Sequence, residues 1–237
     1  MTEWKRDREA VDKCMGDINE QLGLWVKGGK VLDLGGGKGW ALKRIEAESK
    51  VIVDLDLDQL SRSEYETVHG NVLDLPFGDG AFDSVIARGV LHHVPNDLEK
   101  ALDEASRVLV DGGMLFVQDP GGLNPPAYLA RNLFPTDIHV PDERPFDPRY
   151  LRDEIGKRFS IVDERYHHIT GYLLPHIIPR LGPLGPVVRR NADQIRTMED
   201  ALLRRSQFLQ PYAGYVQFVG VKNPIIPNPP VDDGGGL

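Results

Sequence analysis

This chain predicts an α/β fold built on a mainly parallel sheet, on three observations. The apolar run Val31–Leu34 opens directly onto Gly35, Gly36, Gly37 and Gly39. Short apolar runs then alternate with helical segments from Lys30 to Asp119, and a second such run, Val51-Ile52-Val53, delivers Asp54. Alternation of this kind needs crossover connections, so the strands run parallel and helices cover both faces. A strand that opens onto glycine brings bare backbone amides up to a nucleotide or cofactor.

Each element follows from its own pattern. Val11, Met15, Ile18, Leu22 and Trp25 recur at helical spacing and predict one or two packing helices within 3–26. Strands are expected near 30–34, 51–54, 66–69, 82–87 and 113–119, with helices near 38–48 and 97–109. Asp54 and Gly70 are so close in sequence that the helix between the second and third strands must be short. Prolines and glycines crowd 120–148, before a helix at 148–158 and a strand at 159–165. A helix over 190–209 places Ile195, Met198, Leu202 and Leu209 on one side and Arg196, Arg204 and Arg205 elsewhere. A last strand spans 213–222, and the tail 227–237 reads as disordered.

Composition narrows the function. At 237 residues with 41% hydrophobic content, the chain suits one large domain over 1–226, with its core in 28–119. Its net charge of -8 argues against broad capture of nucleic acid. Cys14 is the single cysteine, so neither an intrachain disulfide nor a thiolate metal cluster can form, and no metal is expected. The N-terminus lacks the apolar core of a signal peptide, and no 18-residue apolar run follows, which fits a soluble protein in the reducing cytoplasm.

The glycine turn alone leaves the cofactor open. Gly35 and Gly37 fill the first two glycine positions of the dinucleotide fingerprint, but Trp40 stands at the third, where an indole obstructs close helix-to-strand packing. A carboxylate at the tip of the second strand accepts the hydroxyl protons of a ribose diol, so Asp54 indicates an adenosine-bearing ligand. Asp56 is its competitor for that role, and Asp58 reads as a cap of the short helix that follows.

Discrimination comes from Asp33-x-Gly35-x-Gly37-x-Gly39 together with Leu75-Pro76-Phe77, Phe82-Asp83, Leu91-His92-His93-Val94, Arg107-Val108-Leu109 and Gly112-Gly113. These blocks, in this order across 28–119, resemble the class I S-adenosylmethionine-dependent methyltransferases of the type 11, small-molecule group. The resemblance implies a Rossmann-like fold: a seven-stranded, mainly parallel sheet with an antiparallel last strand, plus helical lid elements at 120–148 and 165–212. It implies S-adenosyl-L-methionine as donor and S-adenosyl-L-homocysteine as product. Asp33, Gly35, Gly36 and Gly37 would border the methionine moiety and Asp54 the ribose. Leu55 would contact one adenine face, and Val72 would offer its backbone amide to the ring. Asn71 stands where the family usually has an aspartate, and its carbonyl accepts the same bond without charge assistance. Arg88 would approach the methionine end, although a salt bridge within the fold suits it equally.

An oxygen acceptor needs its proton removed, and histidine suits that task near neutral pH. His92 and His93, just past the fourth strand, are the candidate catalytic residues, with a structural or cofactor-shell role as the competing reading. His139, His167, His168 and His176 are further candidates. Asn124-Pro125-Pro126-Ala127-Tyr128 is similar to the Asn-Pro-Pro-Tyr motif of nitrogen-directed methyltransferases, but it follows the fifth strand rather than the fourth and reads as an extended loop.

Segment 165–212 holds seven arginines, no lysine and three acids, so it is +4 within a chain of -8. Apolar residues flanked by arginine suit an acceptor with a hydrophobic body and an anionic group, contact with an anionic membrane surface, or an interface between proteins. The expected activity is methylation of a small molecule, at oxygen in preference to nitrogen or carbon. Methylation of tRNA or protein and a catalytically silent donor-binding protein are the competing readings. The sequence leaves the oligomeric state open.

Overall fold

The computed structural model describes residues 21–26, 28–133, 144–170, 174 and 178–223. Residues 3–20 of the helical segment expected within 3–26, the tail 227–237, His139 and His176 lie outside them.

Seven strands form one sheet in the order β3-β2-β1-β4-β5-β7-β6. The strands are β1 Lys30–Leu34, β2 Ser49–Asp54, β3 Glu66–His69, β4 Phe82–Arg88, β5 Leu109–Pro120, β6 Phe159–His167 and β7 Tyr215–Lys222. β1 to β5 pair in parallel, while β7 inserts antiparallel between β5 and β6, as expected. Strand order reverses between β1 and β4, and ligands of open α/β sheets bind beyond the carboxyl ends of the strands at such a switch point.

Side chains alternate in and out along each strand and sort the core into two layers. Leu32, Val85, Val117 and Phe218 face one way, against helices α2 Leu98–Val108 and α4 Pro148–Gly156. Val31, Ile52, Ile86, Phe116 and Val219 face the other, against Leu22, Val26, Leu42 and Leu60. Leu22 lies on the helical stretch 21–25, so the end of the N-terminal segment packs on the sheet as its spacing predicts. Each such side chain, fully buried, contributes about 1.5–3 kcal/mol. The family-like blocks around the sheet are largely ties. Arg107 donates to the carbonyls of Leu75 and Phe77 and pairs with Glu104, whose carboxylate accepts from the Leu75 amide.

Four expectations need correction. The helix at 38–48 is only a 3-10 turn, Ala41–Arg44. Glu46 and Glu48 are drawn into backbone bonds with Gly28 and Gly29, and β2 already begins at Ser49, which leaves too few residues for an α-helix. Asp56, not Asp58, caps the short helix α1 Leu57–Ser61, accepting the amides of Asp58 and Gln59. Asn124-Pro125-Pro126 is a helix start rather than an extended loop. The Asn124 carboxamide oxygen accepts the Ala127 amide, and the prolines fill the first turn of α3 Pro125–Leu133, where no amide is needed. Helix α5 runs over Gly185–Arg205, and its buried side is Ala192, Arg196 and Leu203, while Met198 and Leu202 are exposed. Helix α5 is turned this way because Glu199 and Asp200, on its inner side, hold the backbone of 168–170.

Candidate active site

The carboxyl edge gathers the donor-side residues that the sequence singled out. Gly35 follows β1 with φ +61, a conformation natural to glycine, and a Cβ there would fall 2.6 Å from Cγ2 of Val90. At Gly36 a Cβ would come within 2.5 Å of Oδ2 of Asp33, so this backbone passes directly over the acid. Asp54 lies across the turn, where its Oδ2 accepts the Gly37 amide at 2.9 Å and its Oδ1 the Asp56 amide at 2.8 Å. A carboxylate fixed by two amides keeps a lone pair on each oxygen for a ribose diol. Asp56 spends its own carboxylate on the α1 cap, which leaves Asp54 the freer of the two acids.

Asp33 is 1% exposed and its Oδ2 has no hydrogen-bond partner among the described residues. Burial pushes its pKa up to about 7, with Asp54 adding to the rise and the Arg88 guanidinium opposing it. Such an acid fits a ligand ammonium. Leu55 is exposed just beyond β2, and Val72 is buried after β3. The Asn71 side-chain oxygen accepts the Leu73 amide at 3.0 Å, which fixes its orientation and leaves its second lone pair for an adenine amino group. Glycine turn, orphaned acid, diol-ready carboxylate and apolar flank together suit S-adenosylmethionine.

His92 lies on the 3-10 turn Leu91–His93 after β4, and its Nδ1 sits 2.8 Å from Oδ1 of Asp119 near the end of β5. Both side chains are buried. Burial raises the pKa of Asp119, opposed by the hydrogen bond and charge of His92 and, less, by His93. His93 is exposed and stacks on His92 with centroids 4.2 Å apart. The sequence singled out the histidine pair but missed Asp119; its signal is an acid at the tip of a strand next to β4.

His167 and His168 occupy a structural cluster. Their Nδ1 atoms lie 3.2 and 3.0 Å from Asp200, which also accepts the His168 amide at 2.8 Å. Burial alone would raise the Asp200 pKa, but its hydrogen bonds to both histidines prevail and hold it well below the usual carboxylate range. A folded-state pKa below the unfolded value gives stability that is present above about pH 4 and lost as pH falls further. Asp200→Asn is expected to cost about 2–3 kcal/mol at neutral pH. By thermal denaturation, its gap from wild type should shrink as the pH drops below 4; an unchanged gap would remove this carboxylate from the clamp.

The α5 surface carries exposed Leu184, Val187, Met198 and Leu202 beside exposed Arg190, Arg204 and Arg205. Arg196, expected on the polar side, is instead buried and pairs with Asp193. Asn124 ties this region to β5, donating to the carbonyls of Ile169 and Tyr212.

Comparison with known proteins agrees with this geometry. A methyltransferase domain model matches residues 32–117. The chain is 31% identical over 139 residues to O-methyltransferase rstn1 of Aspergillus nomiae, covering 52% of this chain and 61% of that protein. It is 29% identical over 126 residues to 2-methyl-6-phytyl-1,4-hydroquinone methyltransferase 1 of Oryza sativa, covering 48% of this chain and 37% of that one. The chain thus spans less than two thirds of the length of these relatives. The crystal structure of the [4+2]-cyclase SpnF shares the fold, with a TM-score of 0.61 at 18% identity over 91% of this chain and 82% of that one.

Proposed function

We propose that this chain is a class I methyltransferase of the type 11 group and that it transfers a methyl group from S-adenosylmethionine to an oxygen of a small molecule with an apolar body. The observation that carries the reading is the turn Gly35–Gly37 closed over Asp33 on one side and hydrogen-bonded to Asp54 on the other, at the sheet's switch point. When bound, the donor supplies a sulfonium methyl that passes to the acceptor while the sulfur keeps the bonding electron pair. Asp54 would hold the ribose, Asp33 the ammonium, and Leu55, Asn71 and Val72 the adenine, with Arg88 toward the methionine end. His92, oriented through Nδ1 by Asp119, takes the proton of the acceptor hydroxyl on its other ring nitrogen.

The exposed apolar residues and arginines of α5 suit an acceptor with a hydrophobic body and an anionic group, or an anionic membrane surface on which the enzyme meets a lipid-like acceptor. Among the described residues no helix is long and apolar enough to cross a membrane; the contact proposed here is peripheral, made by an enzyme of the cytoplasm. Relatives named for O-methylation and for a phytylated hydroquinone lend support to an apolar acceptor with a ring hydroxyl.

The test is binding and turnover together. S-adenosylhomocysteine should stabilise the protein against heat and NAD should not. Release of S-adenosylhomocysteine should follow when alkylated phenols are offered with the donor. Binding without turnover would favour a silent donor-binding protein. A gel shift with tRNA would favour a macromolecular acceptor.

A further inference from the structure

Arg88, Gln118, Gln217 and Arg165 are register partners across β4, β5, β7 and β6 and form one row at the carboxyl half of the sheet. Directly paired residues point to the same face, here the face that carries Ile86, Phe116 and Val219 two residues further in. Gln118 is 2% exposed and Gln217 is 0% exposed. Oε1 of Gln118 and both Oε1 and Nε2 of Gln217 make no hydrogen bond among the described residues. Burying an amide unpaired costs about 1–3 kcal/mol, a cost that leucine or methionine would avoid at either position. Three unpaired amide atoms on two neighbouring side chains, next to the donor site, are held at a cost that folding does not repay.

We infer that Gln118 and Gln217 hold the polar head of the methyl acceptor, and that this head is an uncharged hydroxylated group such as a diol or hydroxy-carbonyl. The inference rests on the methyltransferase reading and deepens it. The chemistry of the row excludes a carboxylate head at this place. Each glutamine offers an oxygen that only accepts and a nitrogen that only donates, whichever way the amide is turned. A carboxylate accepts only and would leave both oxygens unpaired, whereas hydroxyls donate to Oε1 and accept from Nε2. Of the two cations of the row, Arg165 pairs with Asp163 at 2.8 Å and Arg88 is given to the methionine end of the donor site. An anionic group on the acceptor therefore belongs outside, among the arginines of α5. Asp119 follows Gln118 on β5 and faces the opposite side, so the head recognised here is distinct from the hydroxyl served by His92.

The experiment uses the full chain saturated with S-adenosylhomocysteine and two probes of matched shape, heptylcatechol and heptylbenzoate, with binding followed by calorimetry. Wild type should bind the uncharged catechol in preference to the benzoate. Gln217→Leu and Gln118→Leu should each weaken catechol binding at least about tenfold, the worth of one good hydrogen bond. Their S-adenosylhomocysteine affinity should be unchanged and their Tm unchanged or raised. Should a leucine variant fail to fold, Gln217→Met and Gln118→Met, which keep an unbranched chain, decide the matter. Preference for heptylbenzoate, failure of wild type to bind heptylcatechol, wild-type catechol affinity in the variants, or a lowered Tm with intact catechol binding each overturns the assignment. Loss of S-adenosylhomocysteine binding by wild type would instead overturn the methyltransferase reading itself.

Discussion

Asp54→Ala should raise the dissociation constant for S-adenosylhomocysteine about 100-fold, while Asp56→Ala, two residues away, should leave it within about twofold. The two carboxylates have divided the work. Asp54 is held by the amides of Gly37 and Asp56 and bridges the glycine turn to the tip of β2, so each oxygen keeps a lone pair that neither amide uses. Hydrogen bonds to a charged group are worth about 1.5–3 kcal/mol each, and a ribose diol makes two. The substitution also frees the Gly37 amide, loosening the turn that the ligand needs preformed. Asp56 is committed to the first turn of α1, so its loss appears as about 1 kcal/mol of stability rather than as affinity. Asp54→Asn should fall between, because one oxygen remains to accept. Titration calorimetry with S-adenosylhomocysteine separates the three variants, and a large loss in Asp56→Ala with none in Asp54→Ala would reverse the assignment.

That division shows how far the sequence could be read. Motif spacing placed Gly35, Asp54, Asn71 and His92 at the ends of consecutive parallel strands, because a strand fixes its last residue to within a position or two. It could not show which of three neighbouring aspartates turns toward the glycines. That choice is made by the N-terminus of α1, whose free amides claim Asp56. Periodicity put a helix over 190–209, where one runs over Gly185–Arg205, and gave it an inner side that holds for Ile195 but not for Met198 and Leu202. Side-chain apolarity pointed to Met198 and Leu202, whereas rotation is set by Glu199 and Asp200 bonding to a distant loop backbone. The tie between His92 and Asp119 and the pairing of Gln118 with Gln217 each join residues far apart in sequence, and they become visible only once strand order brings them side by side.

His92→Asn should lower kcat for an oxygen acceptor about 100-fold or more while sparing S-adenosylhomocysteine affinity and the acceptor KM. The expectation follows from the bond between His92 and Asp119, which orients the ring and, with Nδ1 donating, makes Nε2 the basic nitrogen. A base must be unprotonated to act, so wild-type kcat should fall on the acid side of its pH profile, and the variant should lose that limb. His93→Asn should cost less than about tenfold, since its exposed ring stacks on His92 rather than bonding to Asp119. Asp119→Asn makes the sharper test, because stability and activity should move apart. Burial raises the Asp119 pKa, so the folded state binds that proton more tightly than the unfolded chain. Its charge therefore costs stability, progressively as pH rises above about 4, and at neutral pH an asparagine removes that cost. The Asn oxygen can still accept from Nδ1 of His92, so Tm should hold or rise while kcat falls for want of the charge that stabilises a protonated imidazole. A merely structural dyad would show the opposite pattern, with Tm falling and the acid limb of the pH profile intact.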